Sequence, residues 1–258
     1  MSEAPFVVSS RDEFGVATLT LNRPQQYNTI DHALVGALYD AAAELQADPS
    51  VRAVVLRGEG ATFSGGGDIK AMSAHLGDIR HFLGTLIDAF RNAILALRRL
   101  PVPVIGAVHG AAAGGAFSLA MACDLVVATR SARFVVAYPK LGAPADGGFT
   151  HWITRRLPPH KALELMLLGG ELNAEAAFNL GLINEVVADD QLQAAAQTMA
   201  QRVAQLPAQS VREIKGLIGR QLEADLTAQL DAERAAFLRC ADTADFAERL
   251  AAFLNKRR

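Results

Sequence analysis

The chain lacks most of the features that mark specialised protein classes. Its two cysteines, Cys123 and Cys240, lie far apart and in no CxxC or metal-spaced cluster, so neither a disulfide framework nor a zinc site is indicated, and both read as ordinary buried thiols. Basic blocks are absent too. With 25 basic against 27 acidic side chains and a net charge of -2, nothing is available to neutralise a phosphate backbone or an anionic membrane. No uninterrupted apolar stretch of about 18 residues occurs, which excludes a transmembrane helix. Met1 to Ser10 has none of the three regions of a signal peptide, so the expected location is the cytoplasm. Aromatic residues make up only 6% of the chain, yet 51% is hydrophobic, and alanine and glycine fill much of the difference. Such small residues imply close backbone packing around one large core and a small-molecule partner.

What is present alternates between strand and helix patterns. Val16, Thr18 and Thr20 interleave with Ala17, Leu19 and Leu21 in the period of a half-buried strand, and Phe6 to Val8 supplies a partner strand. Asp31 is placed to cap a helix with apolar positions Leu34, Leu38, Ala42 and Leu45, which Asp48-Pro49 stops. The run Val51 to Leu56 reads as a buried parallel strand. A helix from about Asp78 to Leu97, a strand at Val102 to Val108, a helix from Gly115 to Ala122, and strands at Asp124 to Ala128 and around Phe134 continue the alternation. This pattern predicts an α/β fold with crossover helices. Beyond Val187 only helical patterns remain, at Asp189 to Leu206, Ala208 to Gly219, Leu222 to Cys240 and Ala244 to Leu254. A boundary near residue 190 divides a core, 1–190, from a helical region, 191–258, suited to packing on the core or on a neighbouring subunit.

Two glycine clusters carry the chemistry. Thr62-Phe-Ser-Gly-Gly-Gly-Asp68 and His109-Gly-Ala-Ala-Ala-Gly-Gly-Ala116 each follow an apolar strand and precede a helix. Free N–H groups at such junctions can polarise a carbonyl oxygen, and one aimed donor is worth roughly 3 kcal/mol in the barrier. Neither cluster is a P-loop or a GxGxxG fingerprint, so nucleotide and dinucleotide binding are disfavoured. Ser64 and Ser118 lie in no GxSxG elbow, and the six histidines show no metal-binding spacing, although His109 and His151 fall near the presumed site.

Taken in order, Leu21-Asn-Arg-Pro24 with Asn28, Phe63-Ser-Gly-Gly-Gly-Asp-Ile-Lys70, Pro103-Val-Ile-Gly-Ala-Val-His-Gly110 with Gly114-Gly115 and Cys123-Asp124, Leu141-Gly142, Asn173-Ala-Glu-Ala-Ala177, and Gly181-Leu182 with Glu185-Val-Val187 resemble the enoyl-CoA hydratase/isomerase, or crotonase, superfamily over nearly the whole chain. The resemblance implies a spiral of repeated β-β-α units, a C-terminal all-helical trimerisation region, a homotrimer or a hexamer of paired trimers, and an acyl-CoA thioester as substrate. No separate cofactor is implied, since coenzyme A belongs to the substrate, and no metal.

By position the resemblance assigns Gly67 and Gly115 to the oxyanion hole, and Ser64, Gly65, Gly66, Asp68, Ile69 and Lys70 to the CoA contact, with Gln25 and Tyr27 nearby and Phe253 and Lys256 at the chain end. Gln25 replaces a basic residue common in the family. The two glutamates of the hydratases are replaced by Ser118 and Tyr138, neither of which is a carboxylate base near neutral pH. One acid remains in the pocket-forming segment: Asp146, at the offset from Leu141-Gly142 where related single-carboxylate isomerases and 4-chlorobenzoyl-CoA dehalogenase carry theirs. An N-cap for a helix from Gly147 to Arg155 is the alternative role for Asp146. The expectation is therefore an isomerase acting through a thioester enolate, with Asp146 as acid/base and Ser118 and Tyr138 beside the substrate. A hydratase with unusual water activation, a dehalogenase and a CoA-ester binder without catalysis are the competing readings.

Overall fold

The computed structural model describes residues 4–168, 170–223 and 225–255. Two sheets share the strands. The six-stranded sheet has the order β1 (Val7–Arg11), β2 (Val16–Leu21), β3 (Ala53–Gly58), β4 (Val104–Val108), β6 (Leu125–Thr129) and β9 (Glu185–Val187), antiparallel only at β1–β2. A three-stranded sheet contains β5 (Ala111–Ala113), β7 (Arg133–Val136) and β8 (Gly170–Asn173), with β5 and β7 parallel and β8 antiparallel. Single bridges extend this second sheet, joining Ser64 to Ala112 and Ile30 to Gly67. Each turn of the chain thus lays one strand in the first sheet, one extended piece in the second, and then a helix. That is a spiral of β-β-α units.

The helices follow from capping and apolar spacing. Asp31 accepts from the Leu34 N–H at 2.9 Å and starts α1 (His32–Ala47), whose Leu34, Leu38, Ala42 and Leu45 are buried as their spacing requires. In α3 (Ile79–Arg99), Leu83, Leu86, Ile87, Phe90, Ala93, Ile94 and Leu97 form the buried stripe, and α1 and α3 pack on each other. The wholly buried α4 (Gly115–Ala122) is apolar apart from Ser118, as suits a central helix. Asp124 ties the layers together: its carboxylate accepts from Arg98 of α3 at 2.6 Å, from the Val104 N–H at 2.8 Å, and from Lys215 at 2.8 Å.

Several elements carried no periodic signal. Strand β5 is three alanines, held extended by its pairing with Arg133 to Val135 rather than by propensity. Short helices fill the stretch after β7: α5 (Tyr138–Leu141), α6 (Phe149–Arg156), α7 (Pro159–Leu167) and α8 (Ala174–Asn179), following a small α2 (Ile69–Ala74) earlier in the chain. The tail comprises α9 (Leu192–Ala204), α10 (Ala208–Glu223), α11 (Leu226–Ala241) and α12 (Ala244–Asn255). Here α10 runs past the expected end at Gly219, and the next helix begins at Leu226 rather than Leu222. Helix α9 covers one face of the large sheet through Ala196, Ala200 and Ala204; α11 lies on α3, and α12 touches α2 and α5. Cys123 is buried, which pushes its thiol up to about 12, but Cys240 is only half-buried, so the expectation of two buried thiols holds for the first alone. No helix among the described residues is long and apolar enough to cross a membrane.

Candidate active site

The first glycine cluster is organised by Asn28. This fully buried residue adopts left-handed φ of 51°, a conformation asparagine tolerates, and its amide donates to the carbonyls of Glu59, Thr62 and Phe63 at 2.9, 3.0 and 3.2 Å. Its own carbonyl accepts from the Ser64 hydroxyl at 2.7 Å, and Ser64 Oγ in turn accepts from the Gly66 N–H. Ser64 is fully buried, and its side chain shapes the loop from inside. Asp68 is likewise committed, because its carboxylate caps α2 through Lys70 N and Ala71 N at 3.0 and 3.1 Å. Gln25, Tyr27 and Lys70 are exposed around Gly65, whose N–H is tied to the Tyr27 carbonyl at 2.8 Å; Ile69 is partly buried behind them.

The bridge to Ile30 fixes the direction of the Gly67 N–H. Ile30 N–H donates to the Gly66 carbonyl and Asp68 N–H to the Ile30 carbonyl, so the Gly67 amide turns away from that pairing. Gly115 is the first residue of α4, where an N–H has no intrahelical acceptor. The two clusters touch. A side-chain carbon on Gly66 would clash with the Ala113 carbonyl oxygen and sit 3.7 Å from the Gly115 nitrogen, and Gly66 has φ of 81°, so only glycine fits. Met72, Ile30 and Phe90 enclose the space above Gly67 and Gly115.

Asp146 faces this space. One carboxylate oxygen lies 3.8 Å from where a Cβ on Gly115 would stand. It does not cap α6: the N-cap position is Gly148, and Asp146 instead accepts from the Tyr138 hydroxyl at 2.8 Å. Burial pushes the Asp146 carboxyl up from 3.8 to about 6, against the opposing effect of that hydrogen bond. Tyr138, itself buried beside Asp146, is driven well above 10 and stays a neutral donor. Ser118 is fully buried, 2.7 Å from the Tyr138 oxygen, and it donates to the Asp146 carbonyl at 2.8 Å. Ser118 and Tyr138 are thus bound to the acid, and both hydroxyls are engaged in one ring with it. When Asp146 is ionised, two hydroxyl hydrogens serve the three contacts of this ring; a proton on Asp146 supplies the third.

Other expected residues lie elsewhere. His109 bonds the Gly60 carbonyl and lines a cavity of about 430 Å³ on the α9 side of the large sheet, with Arg57, Thr129 and Asp189, remote from Asp146. His151 is buried edge-on to Trp152. Phe253 is partly buried on α12, and Lys256 lies outside the described residues. Among the described residues, no group of His, Cys, Asp and Glu is placed to hold a metal ion. One acid escaped notice in the sequence: Glu233, on α11, is buried and pushed up to about 7. Its signal would have been an acid inside an apolar helix stripe, among Leu230, Phe237 and Leu238.

N–H groups from two successive spiral turns and a raised carboxyl adjoin one space, an arrangement chemically able to hold a carbonyl oxygen and move a proton beside it. The family model for enoyl-CoA hydratase/isomerase matches residues 11–258. The chain belongs to that family. A 1,2-epoxyphenylacetyl-CoA isomerase of Escherichia coli is 38% identical over 75% of this chain and 74% of its own length. A probable enoyl-CoA hydratase of Mycobacterium bovis is 34% identical over 97% of this chain and 95% of its own. Among solved structures, an enoyl-CoA hydratase of Mycobacterium smegmatis superposes with a TM-score of 0.79 at 36% identity, covering 99% of this chain and 98% of that one. The fold is that of the crotonase superfamily, and the protein is an acyl-CoA enzyme of the hydratase/isomerase family.

Proposed function

We propose that the enzyme is an isomerase that moves a double bond, or rearranges an activated ring, in an acyl-CoA thioester. The observation that carries this reading is the raised carboxyl of Asp146 facing Gly115. Asp146 removes a proton from the carbon next to the thioester, the enolate oxygen is held by the N–H groups of Gly67 and Gly115, and the same carboxyl returns the proton at the far end of the conjugated system. A value near 6 suits a group that must both take and give a proton at neutral pH. The E. coli relative supports the ring-rearranging variant. Hydratase names among the relatives favour water addition as the second reading, but a second base is missing where it would be needed: the Ser118 and Tyr138 hydroxyls are already bonded to each other and to Asp146.

The deciding experiment compares 3-enoyl-CoA, 2-enoyl-CoA and ring-epoxide CoA esters as substrates of the wild type and of Asp146→Asn. Isomerisation without hydration, lost in the variant while CoA-ester binding persists, is the expected result. Hydration by the wild type, or turnover retained by the variant, overturns the reading; tight binding with no turnover points to a binder without catalysis. We also propose a homotrimer or hexamer, supported by Ile214, Leu217 and Ile218 exposed on one face of α10 and by Leu163 and Leu167 exposed on α7.

A further inference from the structure

Helix α6 begins without a cap of its own. Its N-cap is Gly148, which has no side chain, yet the N–H groups of a first helical turn need acceptors. They find one 85 residues later, where Glu233 Oε2 accepts from the Gly148 N–H at 2.7 Å. The other oxygen, Oε1, accepts from the Thr150 N–H at 2.9 Å and from the Thr150 hydroxyl. One turn earlier on α11, Gln229 donates to Thr150 Oγ1 at 2.6 Å. Only Gly147 separates the gripped Gly148 from Asp146; the two glycines have φ of 63° and 78°, and a Cβ on Gly147 would stand 2.9 Å from that of Ser118. The acid is therefore fixed on one side by Tyr138 and Ser118 and on the other by a carboxylate borrowed from the tail.

We infer that Glu233 is a positioning residue for Asp146: by capping α6 from α11 it sets both the place of the reactive carboxyl and the charge beside it. The inference rests on the reading of Asp146 as the proton carrier. Around this pair the other charged groups are largely matched. Asp88 and Arg91 of α3 pair with Arg234 and Asp231 of α11, and Arg155 of α6 pairs with Asp225. Tyr138 from α5 stays neutral, and His151 of α6 is buried beside Trp152. The unmatched neighbour of Asp146 is Glu233, and each of these two acids raises the cost of ionising the other.

Carboxyl titration by 13C NMR of the full-length protein tests this without any substrate. The aspartate resonance absent from Asp146→Asn identifies Asp146. In the wild type it should titrate near pH 6 and show a second inflection near 7, where Glu233 ionises. In Glu233→Gln the second inflection should vanish while the main midpoint stays near 6, because a Glu233 that ionises near 7 is still protonated, and as uncharged as glutamine, while Asp146 titrates. A single inflection in the wild type, or a second inflection that persists in Glu233→Gln, overturns the inference. Should Glu233→Gln fail to fold by circular dichroism, the second inflection in the wild type decides alone. On a 3-enoyl-CoA substrate, the pH profile of kcat should carry the same second inflection near 7, which Glu233→Gln should remove and Glu233→Asp, which keeps an ionisable carboxyl, should restore. A second inflection lost in Glu233→Gln, with no turnover on any CoA ester, leaves the coupling standing and removes the isomerase reading; turnover with no second inflection does the reverse.

Discussion

The two halves of the site are built by opposite means. The donor half is backbone: Gly67 and Gly115 come from equivalent points in successive turns of one spiral, and the loops that hold them touch each other. The acid half is side chain, and its parts come from α4, α5, the loop before α6, and a helix of the tail. Backbone donors stay wherever the fold stays, so that half can be shared by many reactions on thioesters. The acid half can be rebuilt by a few substitutions, and it is where this chain departs from the two-glutamate pattern of the hydratases.

The largest effect should come from the acid half. Asp146→Asn is expected to lower turnover of a 3-enoyl-CoA by about a thousandfold or more, equivalent to about 4 kcal/mol, since no other base faces the substrate. CoA-ester affinity, measured by calorimetry, should change little, because the donor half is untouched. A comparable loss of affinity would show that the halves do not separate. The donor half should break differently. Gly66→Ala places a methyl against the Ala113 carbonyl at positive φ and is expected to destabilise the fold by about 2–4 kcal/mol, read from urea unfolding. Turnover and CoA-ester affinity should fall together there.

The same contrast explains what could be read from the sequence. The hairpin, α1 and its Asp31 cap, the buried stripe of α3 and the exact span of α4 follow from local spacing, and the glycine loops stand where two helices begin. Ser64, Asp68, Ser118 and Tyr138 lie in or beside the loops that the sequence marks, but the direction of their side chains depends on partners such as Asn28, α2 and Asp146. Strand β5 and the Glu233 cap depend entirely on contacts distant in sequence. No local pattern encodes them.

A smaller effect joins function to stability. The Asp146 carboxyl is raised from 3.8 to about 6, so between those pH values the folded chain binds more protons than the unfolded one, and stability falls as pH rises through that window. Above it the full penalty is present, at most about 3 kcal/mol for a shift of this size. Asp146→Asn cannot ionise. It should therefore be more stable than the wild type by about 2 kcal/mol at pH 8, with the advantage vanishing near pH 4, as urea unfolding at the two pH values would show. An advantage independent of pH would mean that packing, not charge, accounts for it.

The smallest expected change is at Ser118. Its hydroxyl is engaged by Tyr138 and the Asp146 carbonyl, so Ser118→Ala should leave Gly67 and Gly115 in place and slacken only the ring around the acid. A buried neutral hydrogen bond of this kind contributes about 1 kcal/mol, and the expected fall in kcat is therefore about fivefold, with KM unchanged. The ring also predicts where the loss appears. The hydrogen count of the ring is complete only when Asp146 is protonated, so without Ser118 the protonated acid loses more than the ionised one. The acid limb of the kcat profile should then move to lower pH. A limb that moves upward would show that Tyr138 gives its hydrogen mainly to the ionised carboxylate, with Ser118 supporting that donation.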